Sequence, residues 1–142
     1  MAALLETTTL PVTALYAGIL SILFAYLALR VGLTRASTGV MHGDNGKQDM
    51  VRKARAQGNL AEYLPVFLIL FSLLELNKGL SVYTLHLVGA LFVAARVAHA
   101  AQLSLPDSVP QACRQYGFLT TAGLLAFLGL WNLISYTTTP SY

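Results

Sequence analysis

Between Arg52 and Val66 polar groups enter a stretch that otherwise reads as membrane helix. Arg52, Arg55, Asn59, Glu62 and Val66 succeed one another at steps of three and four. On an α-helix that spacing places them along one stripe, with Gln57 and Tyr63 on flanking faces. The stripe presents two guanidinium groups, a carboxamide and a carboxylate in turn, a set complementary to a zwitterionic or anionic polar ligand. Pro65 follows at once, and its missing N–H leaves the carbonyl of Ala61 without a helical donor. An ionisable group inside a span costs roughly 2.5–3.5 kcal/mol on insertion scales, so these residues, and Arg96 further along, must face protein or water. They could form an internal network, with Glu62 neutralising Arg96 and Arg55 pairing or snorkelling to the interface. A packing network, however, has no need of two guanidiniums, an amide, a carboxylate and a tyrosine at one depth. That concentration favours a ligand site.

The elements that must hold this stripe follow from hydropathy. Of 142 residues 56% are hydrophobic and only 11% are charged, whereas about one quarter of a soluble domain is charged. A bilayer core of about 30 Å needs roughly 20 apolar residues in a helix. Four segments satisfy that length, at about 10–30, 50–76, 79–103 and 111–136, within one domain covering 1–142. The expected fold is therefore an all-α integral membrane protein, a four-transmembrane-helix antiparallel bundle. The first span is preceded by Glu6 rather than a basic region, and reads as retained rather than as a signal peptide. Asn77–Gly79 and Ser104–Pro110 are short connections that make antiparallel neighbours. Val31 to Asp49, with its Gly-Asp-Asn-Gly cluster at 43–46, is expected to be a loop throughout.

Arg30, Arg35, Lys47, Arg52, Lys53, Arg55, Arg96 and Arg114 fall toward one side of the bundle. By the positive-inside rule that side, with the long first loop, is expected to be cytoplasmic and both termini to lie opposite. The net charge of +3 is too small and too interleaved with apolar segments for nucleic acid. Cys113 has no partner for a disulfide. No pair among His42, His86 and His99 has metal-ligand spacing, so no metal site is expected. Tyr16, Trp131 and Tyr136 read as packing or interfacial anchors, and Glu75 as a solvated residue at the outer surface. No Gly-rich phosphate motif, nucleophile elbow or HExxH is present.

The run Arg55-Ala56, Asn59, Glu62, Pro65, then "LNKG", then Arg96-Val97-Ala98-His99, resembles the MAPEG family, the membrane-associated proteins in eicosanoid and glutathione metabolism. That family carries R-A-x-x-N-x-x-E-x-x-P on its second helix and R-x-x-H on its third; the "GDNG" loop is closer to small bacterial members. The resemblance implies a homotrimer that holds glutathione as co-substrate between subunits near the cytoplasmic side. Its second ligand would be a lipophilic small molecule or lipid from the bilayer. It assigns Arg55, Asn59, Glu62 and Tyr63 to glutathione, with Gln57 nearby and Arg30 meeting a carboxylate. Arg96 and His99 would give structural or ligand support. Arg114 would be the catalytic, thiolate-stabilising arginine, aligned by allowing two extra residues in the connection before it. Strongly conjugating members often carry tyrosine four residues after the histidine; here that place is Leu103. The implied activity is glutathione transferase or peroxidase on lipophilic electrophiles, and the alternative is a non-catalytic lipid-binding or scaffold protein on the same bundle. A channel or transporter would line several levels with polar side chains, which the first and fourth spans lack.

Overall fold

The computed structural model describes residues 9–138, so that Glu6 lies outside the described residues. Four helices follow in order: α1 (Pro11–Thr38), α2 (Gln48–Leu76), α3 (Val82–Ser104) and α4 (Gln111–Thr138). Each is long and apolar enough to cross a membrane. Ile22, Leu29, Leu33, Leu119, Leu130 and Leu133 face outward, an arrangement that lipid solvates and water would not. α1 packs on α2 and α3, α4 packs on the same two helices, and among the described residues α1 and α4 do not touch.

The central pair is held by aromatic rings. Phe67 of α2 stacks on Phe92 of α3 with centroids 3.7 Å apart and planes 11° from parallel, and Phe71 stacks on Phe67 at 5.1 Å. All three are fully buried. On one flank, the Tyr16 hydroxyl donates to the carbonyl of His86 at 2.8 Å and its ring lies directly against Gly89, so α1 and α3 cross closely. On the other flank, Trp131 Nε1 donates to the Gly79 carbonyl at 2.6 Å, and Asn132 Nδ2 donates to the Leu70 carbonyl at 3.1 Å. These bonds tie the far end of α4 to α2 and to the α2–α3 turn.

Two expectations, one about the first connection and one about Glu75, need correction. The stretch after Arg30 is not loop throughout, because α1 continues for another two turns to Thr38. A lone Gly32 costs a helix only about 1 kcal/mol. The hydroxyls of Thr34, Ser37 and Thr38 fold back onto carbonyls of the preceding turn at 2.8, 3.1 and 2.7 Å. Termination waits for Gly39, whose φ of 68° is the left-handed C-cap geometry that glycine adopts without strain. Arg35 then donates to the carbonyls of Val40, Met41 and Gly43. Lys53 bridges Asp49 at 2.7 Å and Thr34 Oγ1 at 2.9 Å, fastening the start of α2 to the end of α1.

Nor is Glu75 a solvated surface residue. Its two carboxylate oxygens accept from the backbone N–H groups of Val12 at 2.9 Å and Thr13 at 2.7 Å. The first amides of a helix lack internal acceptors and carry the positive end of its dipole. The antiparallel α1–α2 hairpin delivers a carboxylate from the last turn of one helix to the first turn of the other. Glu75→Ala is expected to cost about 1 kcal/mol and to speed hydrogen exchange at the Val12 and Thr13 amides; unchanged exchange there would mean that the cap does not form.

Candidate functional site

The C-terminal ends of α1 and α3 and the N-terminal ends of α2 and α4 share one end of the bundle. There a cleft of about 440 Å³ opens between α2, α3 and α4. α2 contributes Gln48, Val51, Arg52, Arg55 and Asn59, and α3 contributes His99, Gln102 and Leu103. Pro106 and the first turn of α4, with Gln111 and Arg114, close it. A second cavity of about 320 Å³ shares Asn59, His99, Gln111 and Arg114, and extends to Gln115 and Phe118. No acidic residue lines either cavity. Arg52, Arg55 and Arg114 have no hydrogen-bond or ion-pair partner among the described residues, where Lys53–Asp49 is the one ion pair. Three guanidiniums without a carboxylate make a strongly positive, concave site, the field that concentrates anions.

Behind the cleft lies Arg96, only 2% exposed. Its Nη1 donates to Asn59 Oδ1 at 2.7 Å, its Nη2 donates to the Gly117 carbonyl at 2.9 Å, and its Cζ lies 5.3 Å from the Tyr63 ring centroid. One side chain thus joins α2, α3 and α4. The expected alternative pairing of Arg96 with Glu62 is not formed. A neutral amide, a backbone carbonyl and an aromatic face solvate the guanidinium instead.

Of the residues singled out by sequence, Arg52, Arg55, Asn59, His99 and Arg114 converge on the cleft, and Leu103 lines it. Glu62, Tyr63, Gln57 and Arg30 do not line it. Glu62 faces outward. At about 100° per residue it lies roughly 60° around the helix from Asn59, and Asn59 is the deepest α2 residue in the cleft. Tyr63 is half-buried between Arg96 and Phe118, whose ring is 6.5 Å away. Gln57 is half-buried outside the cleft. Arg30 sits on the α1–α3 seam, bonded to Ser104 Oγ and 5.7 Å from the Tyr26 ring centroid. Sequence reasoning missed Gln48, Gln102 and Gln111. Their signal was a trio of glutamines at the ends of helices that share one side. Among the described residues no cluster of three His, Cys, Asp or Glu could hold a metal ion.

On the outer face between α3 and α4, a further groove of about 330 Å³ is walled by Leu91, Ala94, Ala98, Cys113, Tyr116 and Thr120, among others. Four membrane-length helices and lipid-compatible outer faces define a multi-pass integral membrane protein, with a basic cleft at one end. The MAPEG family profile matches residues 13–134, and the chain belongs to that family. It is 31% identical over 88 residues to the inner membrane protein YecN of Escherichia coli strain K12, and equally to YecN of the O6:H1 strain CFT073. The match covers 62% of this chain and 66% of each relative, just under two thirds of their length.

Proposed function

We propose that this protein binds glutathione in the basic cleft and joins its sulfur to lipophilic electrophiles taken from the bilayer. The observation that carries the reading is the set of three unpaired guanidiniums, Arg52, Arg55 and Arg114, around Asn59 in a single cleft. Glutathione brings two carboxylates suited to arginine forks and peptide groups suited to a carboxamide. Its thiol, near the cysteine value of about 8.5, is a few per cent ionised at neutral pH, and an adjacent guanidinium raises that fraction. The thiol proton passes to water. The thiolate then forms the new sulfur–carbon bond while the leaving group departs with its electron pair. Arg114, which lines both cavities, is assigned to the thiolate. The groove beside Cys113 and Tyr116 gives a lipophilic partner apolar wall on the same pair of helices.

Isothermal titration of glutathione into the detergent-purified protein, followed by a conjugation assay with a generic aryl halide, tests this; absence of binding would end it. We also propose that the complete site lies between subunits of a homotrimer, because Arg30 and Glu62 lie outside the cleft of a single chain, and that the basic end is cytoplasmic, because cytoplasmic ends carry the excess of Lys and Arg. Native mass spectrometry in mild detergent should then show trimers carrying glutathione. Monomers that retain the ligand would sink the intersubunit site. Leu103 on the cleft wall, where a conjugating member often has tyrosine, favours a second reading, a non-catalytic lipid-binding or scaffold protein. Glutathione bound without turnover of aryl halides or lipid hydroperoxides would select it.

A further inference from the structure

Arg96 decides which way Asn59 turns its amide. A guanidinium has five N–H donors and no acceptor, so the Asn59 atom that faces Arg96 Nη1 at 2.7 Å must be the carbonyl oxygen. The group is planar, and its Nδ2 hydrogens are therefore directed away from Arg96. Asn59 lines both cavities, and its Nδ2 has no hydrogen-bond acceptor among the described residues. Arg96 is itself buried without a carboxylate, and its Nε has no hydrogen-bond partner. Arg52, Arg55, Arg114 and Asn59 Nδ2, the polar groups around the cleft whose sense is fixed, are thus all donors; the glutamines can turn either end, and the His99 imidazole can present a donor or an acceptor nitrogen.

We propose that Arg96 is a positioning residue that locks Asn59 as a hydrogen-bond donor, so that the cleft admits acceptor groups such as carboxylate, thiolate or sulfate and turns away ammonium. The inference rests on the glutathione reading and deepens it. The cleft takes the anionic part of the tripeptide, and the ammonium group must lie outside it.

Asn59→Asp in the full-length protein is the discriminating variant. Aspartate keeps the shape and offers Arg96 a charged acceptor, so the thermal unfolding midpoint is expected to stay level or rise. Toward the cleft the same change replaces a donor by a negative acceptor. Affinity for glutathione, and the thermal stabilisation by inorganic sulfate, should each fall about fivefold or more. Arg96→Lys, also donor-only, should hold glutathione affinity near wild type, whereas Arg96→Gln, which can donate or accept, releases the amide and should weaken it; a purely structural role would make affinity follow the unfolding midpoint instead. Wild-type affinity in Asn59→Asp overturns the proposal, and so does a lowered midpoint in that variant. If wild-type protein fails to bind glutathione yet is stabilised by sulfate, and Asn59→Asp abolishes that effect, the donor cleft stands and the glutathione reading falls. Stabilisation of the wild type by neither probe overturns both.

Discussion

Arg114→Ala is expected to slow glutathione conjugation at least tenfold while changing glutathione affinity less. Arg114 occupies the first turn of α4, just after Pro110, and borders both cavities beside Asn59 and His99. A cation there opposes the α4 dipole, whose N-terminus prefers negative charge. Its position therefore does not serve helix stability, and its removal should leave the bundle folded. Arg52 and Arg55 remain to hold carboxylates, so ground-state binding retains most of its charge complementarity. What the variant loses is selective stabilisation of the thiolate, and a tenfold loss corresponds to about 1.4 kcal/mol. The alternative role is an interfacial anchor whose long side chain reaches toward headgroups. A thiolate absorbance titration beside a conjugation rate on the same variant separates the two. Normal turnover with unshifted thiol ionisation would leave Arg114 an anchor and remove the proposed catalytic group.

Gly117→Ala is expected to be strongly disruptive for the addition of a single methyl group. A Cβ at Gly117 would lie 2.6 Å from the Ala95 carbonyl oxygen, 3.1 Å from His99 Cβ and 3.2 Å from the His99 nitrogen. Two of those atoms are backbone, so no rotamer change relieves the clash and α3 must separate from α4. The same residue supplies the carbonyl that accepts from Arg96 at 2.9 Å and from Thr121 Oγ1 at 2.8 Å. Overpacking of this kind costs about 1–3 kcal/mol, and moving Arg96 also releases Asn59. Gly123 lies on the same helix with nothing within 4 Å of a Cβ, and alanine there should be neutral or mildly stabilising through helix propensity. Unfolding titrations of the two variants side by side check this. Equal midpoints would mean that α3 and α4 do not approach as closely as Gly117 implies.

Much of the bundle is legible in the sequence because a membrane span declares itself by length and hydropathy. Lipid offers no hydrogen bonds, so each span must be a continuous helix. The second, third and fourth helices end close to where the apolar runs do, whereas α2 and α4 start earlier, in polar turns that carry Arg52, Arg55 and Arg114. The end of α1 was less legible, since hydropathy falls after Arg30 while the helix continues to Thr38. What fixes its end are the Lys53 bond to Thr34 Oγ1 and the left-handed turn of Gly39. Neither leaves a hydropathy signal.

At the site, the sequence by itself determined that Arg52, Arg55 and Asn59 share a helix face, because 3.6 residues per turn constrains nearest neighbours along one helix. It also determined that buried charge needed a partner, though not which one. Only the tertiary structure decided that Arg96 turns to Asn59 and Gly117 rather than to Glu62, that Glu75 caps α1, and that Arg30 falls on the α1–α3 seam away from the cleft. Each of these depends on the rotation of one helix about its axis relative to its neighbours. That rotation is set by where side chains let helices approach, as at Gly89 beneath Tyr16 and Gly117 beneath Ala95. Helix periodicity fixes the angles between residues within one helix and leaves the angle between helices to packing.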